Sequence, residues 1–345
     1  MFLPANHAIK GLRVISHRIG MALVLGATVF VSVPVLASAA SSAVKLVMTS
    51  GSASERDGVI YVAQDLGLFR KHGLDLTFVQ VRNGPVAMSA LSSGETQFHW
   101  GSVSGANLGA IAEGADLVFV AGFINRLSGM FVVNPQIKMP ADLKGRSVAV
   151  NSLSGGGWIF SMLMLDYWGL SPERDRIQFR TLGDQAVMAQ GVLSGTADAA
   201  FLGYTFGKML QSKGFRVLAD SEKLPIPYQG SGVIAKRSFV TTSPASLESL
   251  LRALLESTAF IRNPENKPQV TKSLARALRF KRVEDAEDGY QSMINLYERK
   301  IYPSVDGIRN VIRLLGMSNE KIRRLKAEDW VDETVVRKLE KEGRF

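Results

Sequence analysis

VLSGTADAAFLGY, residues 192–204, repeats the plan of ALSSGETQFHWGS, residues 90–102. Each stretch has a helix end with Leu-Ser, a glycine stop, a polar residue (Gln97 or Asp198), an apolar strand and a glycine at the carboxyl end of that strand. Coincidence is the alternative for so short a match, but both stretches lie in the same strand-and-helix context. The repeat therefore favours two similarly built lobes.

Apolar strand-like segments alternate with helical ones through most of the chain. Strands are predicted at 44–49, 75–81, 96–100, 116–123, 131–135, 147–151, 177–182, 199–203 and 215–220, and helices at 59–69, 85–93, 104–114, 158–168, 184–194 and 204–212. Such alternation predicts an α/β fold with mostly parallel sheets flanked by helices. From about residue 243 the chain is predicted to be almost wholly helical, with amphipathic segments at 245–262, 267–279 and 304–315.

The loops after the strands are where a ligand is expected. In open α/β sheets the ligand crevice lies beyond the carboxyl ends of the strands. Two facing lobes would bring four loops around one cleft, namely 49–56, 100–105, 151–158 and 202–205.

The first 40 residues have the order of a secretory signal. Lys10, Arg13 and Arg18 precede an uncharged apolar run that ends in Ala37-Ser38-Ala39-Ala40. This order predicts export to the periplasm and cleavage near Ala39 or Ala40. The alternative is an uncleaved membrane anchor, because about 20 apolar residues can span a bilayer.

Composition narrows the classes of function. The 345 residues are enough for two domains, and 46% of them are hydrophobic, so a packed core is expected. The absence of cysteine excludes disulfides, cysteine nucleophiles, iron–sulfur clusters and thiolate zinc sites. The net charge is +10, and removing the three charges of the leader leaves about +7. Basic clusters such as KIRRLK at 321–326 alternate with acids, which favours a solvated helix face over nucleic-acid binding.

SLSGGGW, residues 152–158, is a glycine-rich turn between a predicted strand and a predicted helix. No lysine follows as a Walker loop requires, and Phe160 stands where a dinucleotide fingerprint needs its third glycine. What remains is a helix start whose free N–H groups suit an oxyanion. The alternative is a tight turn that binds nothing.

Catalytic side chains are scarce after the leader. His72 lies in the last turn of a predicted helix, where a cation suits the dipole, and His99 lies in a strand. One candidate histidine without cysteine makes neither a histidine-rich metal site nor a Cys–His pair. A Ser–His–Asp triad through His99 is formally possible, but no G-x-S-x-G elbow supports it. We therefore expect neither an enzyme nor a cofactor.

Aromatic residues and arginines fall near the predicted cleft loops. Trp100, Trp158 and Tyr204 are candidates for its apolar walls, with burial in the core as the alternative for each. Arg56 and Arg126 could clamp a carboxylate or sulfonate, although a surface position is the commoner fate of an arginine.

Five motifs in order resemble one protein family. AQDLGLFRKHGLDL (63–76), ALSSGETQF (90–98), DLKGRSVAV (142–150), YWGLSPERD (167–175) and LSGTADAAF (193–201) resemble the substrate-binding proteins of ABC-type importers. The branch is the NMT1/SsuA-like one, which includes nitrate, sulfonate, taurine and pyrimidine-precursor binders. The ending, with PSVDG (303–307) and EDWVDETVVRKLEKEG (328–343), is also similar, so the resemblance covers nearly all of the chain after the leader.

The resemblance implies a two-lobed periplasmic-binding-protein-like fold of type II. Lobe one would comprise residues 44–128 plus 233–345, with the C-terminal helices returning to it, and lobe two residues 129–232. A small polar or anionic organic ligand would bind between the lobes of a monomer and pass to a membrane permease. We expect ligand contacts from Ser52, Arg56, Trp100, Ser102, Ser104, Arg126, Ser152, Ser154, Gly155, Gly156, Trp158 and Tyr204.

The sequence departs from the family at several points. Gln97 stands where aspartate is common, a structural position, and His99-Trp100 and the glycine triplet are less typical. Enzymes of the branch that make a thiamine pyrimidine use a cysteine-rich motif, which this chain lacks. Two alternative functions keep the fold: a ligand-sensing subunit of a membrane receptor, which a neighbouring kinase gene would indicate, and an enzyme on the same scaffold.

Overall fold

The computed structural model describes residues 43–51 and 53–345. The expected signal segment, with its cleavage point near Ala39 or Ala40, and the predicted contact Ser52 lie outside the described residues. Within the described ranges, every helix is too short or too polar to cross a bilayer.

Within residues 43–51 and 53–345, ten strands form two sheets. The strands are β1 Val44–Ser50, β2 Leu74–Gln80, β3 Phe98–Gly101, β4 Leu117–Gly122, β5 Met130–Val133, β6 Ser147–Val150, β7 Gln178–Thr181, β8 Ala199–Leu202, β9 Arg216–Asp220 and β10 Gly232–Lys236. Their order is β2-β1-β3-β10-β4 in the first sheet and β7-β6-β8-β5-β9 in the second. In both sheets the fourth strand in this order runs antiparallel to its neighbours and the other four share one direction.

Helices flank both sheets, which confirms the predicted α/β class with mostly parallel sheets. They are α1 Gly58–Asp65, α2 Leu68–Lys71, α3 Gly84–Ser93, α4 Gly105–Ala112, α5 Gly156–Tyr167, α6 Gln185–Leu193, α7 Tyr204–Ser212, α8 Arg237–Thr242, α9 Pro244–Arg262, α10 Lys267–Ala277, α11 Glu287–Leu296, α12 Val305–Gly316, α13 Glu320–Arg323 and α14 Thr334–Lys341.

The internal repeat occupies equivalent positions in the two sheets, because β3 and β8 are each third in order. The polar residue before each strand also has the same partner. The Gln97 side-chain oxygen accepts from the backbone N–H of Val47 in β1 at 2.9 Å, and the Asp198 carboxylate accepts from that of Ser147 in β6 at 2.8 Å. Glutamine therefore serves at this position as aspartate does in the second sheet.

The chain crosses between the sheets twice. The first crossing joins β4 to β5 and the second joins β9 to β10, and the two run antiparallel through a bridge between Arg126 and Pro227. The predicted lobe limits, 44–128 plus 233–345 and 129–232, stay a prediction. The C-terminal helices contact both sheets' layers, since α9 contacts β2 and α14 contacts β4, whereas α12 contacts α5 and Arg313 donates to Asp166 at 2.5 Å.

Two features of the fold differ from the sequence expectation. The helix predicted over 59–69 is broken between α1 and α2, where Gly67 has a left-handed φ of 65°. Strand β10 lies in residues 221–242, to which the sequence analysis assigned no element. Its five residues carry little local signal, because the strand is stabilised by pairing with the distant strands β3 and β4.

We expect Gly232→Ala to destabilise the protein. A Cβ at Gly232 would lie 2.1 Å from the carbonyl oxygen of Ala121, so β4 and β10 would have to separate. The expected loss in free energy of unfolding is about 1–3 kcal/mol, measured by urea denaturation.

The matched control is Gly109→Ala, in the interior of α4. Apart from the adjacent backbone of α4 itself, no described atom lies within 4 Å of the added Cβ, so the gain in helix propensity should raise the free energy of unfolding by about 0.5–1 kcal/mol. Equal effects of the two changes would contradict the tight β4–β10 contact.

Candidate functional site

A cleft lies between the carboxyl ends of the parallel strands of the two sheets. Its open space, including the part continuous with solvent, is about 660 Å³. The first-sheet side and the crossing supply Ser50, Gly51, Ser54, Arg56, Asp57, Gly84, His99, Trp100, Gly101, Ser102, Ser104 and Ser231. The second-sheet side supplies Asn151, Gly156, Gly157, Phe160, Gln185, Met188 and Phe201.

The structure brings five of the twelve predicted contacts into the cleft lining: Arg56, Trp100, Ser102, Ser104 and Gly156. It places six others outside that lining: Arg126, Ser152, Ser154, Gly155, Trp158 and Tyr204. As ligand contacts, all twelve stay predictions.

The loop after β1 carries the charged part of the cleft. Ser54 and Asp57 form a capping box, in which the Asp57 carboxylate accepts from the Ser54 backbone N–H at 3.1 Å and from the Ser50 hydroxyl at 3.1 Å. The Arg56 guanidinium donates to the Ser128 carbonyl at 2.8 Å and lies 4.9 Å from the ring centroid of Phe160, on the opposite side of the cleft. Arg56 therefore contacts both sides.

Strand β3 forms the floor of the cleft. Trp100 is 1% exposed and stacks at a tilt on Phe123, with ring centroids 5.3 Å apart. Its indole Nε1 has no hydrogen-bond partner among the described residues. Buried tryptophan N–H groups normally find an acceptor, so Trp100 offers an unused donor.

His99 is held as a neutral ring. Its Nδ1 donates to the Thr49 carbonyl oxygen at 3.1 Å, which leaves Nε2 as an acceptor. Burial lowers the pKa of His99 to about 4. No carboxylate in the described part of the chain bonds this ring, so a triad through His99 is not assembled. Among residues 43–51 and 53–345, no cluster of histidine and carboxylate side chains is suited to a metal ion.

The start of α5 forms one wall of the cleft. Its N-cap, Gly155, offers no side chain, and two buried oxygens beside it, Asn151 Oδ1 and Ser152 Oγ, lack partners within the described residues. A Cβ at Gly157 would lie 2.8 Å from Asn151 Oδ1, so the third glycine of the triplet lets Asn151 pack against the helix start. The Ser152 carbonyl oxygen accepts from the Gly155 backbone N–H at 3.4 Å, and Ser152 is not among the lining residues.

Ser154 makes a contact between the two sides instead of lining the cleft. Its carbonyl oxygen accepts from the Ala106 backbone N–H at 2.9 Å, and its backbone has a left-handed φ of 61°. A Cβ at Gly105 would lie 3.0 Å from the Ser154 Cβ, which shows how closely the rims approach.

Arg126 makes its contacts at the crossing segments between the two sheets. It pairs with Glu298 at 2.7 Å and lies 3.8 Å from Glu222, and it also donates to the carbonyl oxygen of Leu296 at 3.1 Å. These partners hold its guanidinium at the hinge, away from the cleft lining.

Trp158 and Tyr204, which were predicted to line the cleft, pack outside it. Trp158 is half-buried and packs edge-to-face on Phe179, with centroids 6.1 Å apart. The Tyr204 hydroxyl donates to Asp220, which turns the ring away into the second lobe. On α5, the ring that lines the cleft is Phe160, which is two residues after Trp158 and therefore on a different face of the helix.

The cleft has little net charge. Of its lining residues, Arg56 carries the one permanent positive charge. Burial raises the pKa of Asp57 to about 7, against the opposing effect of Arg56, and His99 is neutral at that pH. This environment suits a polar solute and does not resemble a multi-arginine anion clamp.

Sequence reasoning missed several lining residues. Asp57 could have been found, because Ser54-x-x-Asp57 is a capping-box spacing. Gly84, Gln185 and Met188 gave no local signal, since only the packing of the two sides brings them to the cleft.

The fold and cleft define a two-lobed α/β protein of the periplasmic-binding-protein type. Solved structures share this fold. The alkanesulfonate-binding protein SsuA from Xanthomonas axonopodis pv. citri, bound to MOPS, has a TM-score of 0.70 at 19% identity, covering 84% of this chain and 98% of that one. The nitrate-binding protein NrtA from Synechocystis PCC 6803 has a TM-score of 0.70 at 15% identity, covering 86% and 88%.

The chain belongs to the NMT1/THI5-like family, whose profile matches residues 57–267. The resemblance drawn from the sequence motifs is thereby confirmed. Relatives named as binding proteins in Brucella abortus and Brucella suis are 26% identical over 217 residues. The match covers 61% of this chain and 65% of the relatives, just under two thirds of their length.

We expect Asp57 to make stability fall with rising pH. Its pKa is about 7 in the folded protein, above the ordinary 3.8, so its stabilisation is fully present below about pH 4 and is lost as the pH rises through 7. The free energy of unfolding of the wild type, relative to Asp57→Asn, should fall by a few kcal/mol between pH 4 and pH 7 and then level off. Urea denaturation of both proteins across this range measures the difference.

The control is Asp142→Asn, at an exposed carboxylate. Backbone hydrogen bonds from Lys138 and Met139 lower the pKa of Asp142, so its contribution is lost only as the pH falls below the ordinary range. Its difference from the wild type should stay flat between pH 5 and pH 8. A flat curve for Asp57→Asn as well would contradict the buried, proton-binding carboxylate.

Proposed function

We propose that this chain is an exported, periplasmic solute-binding protein that captures a small polar organic solute between its lobes and delivers it to an ABC importer. The observation that carries the proposal is the cleft, which is lined from both sheets at their strand ends; its floor includes Trp100, whose buried Nε1 lacks a partner among the described residues. In this proposal the protein acts as a monomer, without a cofactor or catalysis, and its partners are the solute and the permease.

The start of α5 is the proposed binding site for the polar group of the solute. Its N–H groups carry the positive end of the helix dipole, and no side chain caps them. The unpartnered Asn151 Oδ1 lies beside them and gives the same wall an acceptor. A solute with an oxyanion or carbonyl oxygen next to a donor group would satisfy both.

The charge of the cleft limits the charge that a bound solute can carry. Arg56 already bonds the Ser128 carbonyl and faces Phe160, so one negative charge is the most that this site would balance. Aromatic rings at Trp100, Phe160 and Phe201 suit an apolar or ring-bearing remainder. These properties favour the sulfonate, nitrate, pyrimidine or aromatic-acid class. The MOPS bound to the Xanthomonas relative in fold is itself a sulfonate.

Hinge bending about the two crossings is the proposed conformational step. The crossings pair at Arg126 and Pro227, and Arg126 holds them against Glu298 of the C-terminal region. In this proposal the solute binds to the open form, and closure brings the start of α5 against Ser102.

We expect one class of solute to raise the melting temperature. Residues 41–345, which form one compact unit, would be tested against sulfonates, nitrate, aromatic acids and pyrimidines. A solute at one hundred times its Kd adds about 2.7 kcal/mol to the free energy of unfolding, which shifts Tm by several degrees. If no solute shifts Tm and native mass spectrometry finds the cleft empty, binding of these classes is contradicted.

We expect Trp100→Phe to weaken solute binding by about two- to tenfold. Phenylalanine keeps a ring on Phe123 but removes the indole donor, and one hydrogen bond contributes about 0.5–1.5 kcal/mol. Isothermal titration with the solute found above measures Kd. Trp168→Phe is the matched control, because Trp168 packs on Phe131 and does not line the cleft. Equal affinities of the two variants would contradict the role of Trp100.

We expect Gly156→Val to weaken solute binding more strongly. A Cβ at Gly156 would lie 3.1 Å from the Ser102 hydroxyl, and the valine methyl groups would extend into the solute space and hinder closure. Affinity should fall at least tenfold, with Gly109→Ala as the control away from the cleft. Unchanged affinity for Gly156→Val would overturn the placement of the solute at the start of α5.

A further inference from the structure

Glu55 joins the two sides of the cleft through a buried carboxylate. It lies in the short turn between β1 and α1 and is 0% exposed. Its Oε1 accepts from the Tyr204 backbone N–H at 2.7 Å, and its Oε2 accepts from the Thr205 hydroxyl at 2.9 Å. Both donors belong to the first turn of α7, which follows β8 of the second sheet.

Two glycines make room for this arrangement. A Cβ at Gly203 would lie 2.3 Å from Glu55 Oε1, so only a glycine permits the carboxylate to reach the helix start. A Cβ at Gly289 in α11 would lie 2.4 Å from Thr205 Oγ1, so the hydroxyl also needs a glycine beside it. The cradle is therefore shaped around a carboxylate that comes from the other side of the cleft.

A comparison of the N-termini of the helices around the cleft shows that this carboxylate acts as a cap. The starts of α4 and α6 are capped by their own residues, Ser104 and Asp184. The start of α7 has no local side-chain cap, and Glu55 supplies one from a distance. Of these four helices, α5 is then the one whose start has no hydrogen-bonding cap from any side chain in the described part of the chain.

We propose that Glu55 is a built-in carboxylate that occupies the anion position of α7, links the two lobes when the cleft is closed and directs the polar group of the solute to α5. The statement about the solute rests on the proposed function. The statement about the occupied anion position does not, because it concerns contacts within this chain alone.

Replacement of the missing carboxylate by acetate tests the proposal. Glu55→Ala removes the carboxylate and leaves a space at the start of α7, so Tm should fall by several degrees. Acetate should enter that space and restore at least half of the loss, whereas the Tm of the wild type should not respond. Glu55→Gln fills the space with an uncharged amide, so its Tm should fall less and should not respond to acetate.

Glu248→Ala is the control for general effects of a lost carboxylate. Glu248 bonds Lys338 and Arg252 far from the cleft, so its loss should give no response to acetate. Equal responses of Glu55→Ala and Glu248→Ala, or none in either, would overturn the proposal. These measurements need no solute, so a failure of the solute panel leaves their outcome unchanged.

If Glu55→Ala does not fold, a second measurement tests the contact between Glu55 and the start of α7. Thr205→Val keeps the shape of the side chain and removes one of the two donors. In a double-mutant cycle with Glu55→Gln, the combined loss in Tm should be clearly smaller than the sum of the single losses. Additive losses would show that Glu55 and Thr205 do not act as one contact and would overturn the proposal.

Discussion

The first sheet is completed by a strand that the chain reaches only after it has passed through the second sheet. Strand β10 follows the second crossing and lies fourth in the first sheet, antiparallel to its neighbours β3 and β4. The first sheet therefore cannot form its full set of backbone hydrogen bonds until the chain has crossed back from the second sheet, whose five strands are contiguous in the chain. This connection holds both hinge segments side by side and turns the carboxyl ends of the strands towards one cleft.

The two sides of that cleft meet through different kinds of interaction. At the rim, the Ser154 carbonyl accepts from the Ala106 N–H, a bond between backbone atoms. Deeper, Arg56 faces Phe160, and Glu55 bonds the start of α7. The charged residues of the loop after β1 therefore serve contact between the lobes as well as the lining of the cleft.

Much of the fold could be predicted from sequence, because its signals are local. The repeat around Gln97 and Asp198 predicted two similar lobes, and the structure gives both residues the same bond to the neighbouring parallel strand, β1 or β6. Strand β10 could not be predicted, since its pairing with β3 and β4 is formed by residues more than one hundred positions away. The site was harder to predict because its contacts also join residues that are distant in the sequence. Trp158 was expected in the cleft and packs on Phe179, and Glu55 and Phe160 gave no sign of their partners across it.

The rim bond between Ser154 and Ala106 has a consequence for how such a protein can diversify. Because the bond joins main-chain atoms, it does not depend on the identity of the neighbouring side chains that line the cleft. In the proposed function, mutations at those side chains would change the preferred solute and leave the geometry of closure unchanged. Specificity for the solute and recognition by a transporter would then evolve at separate rates on one scaffold.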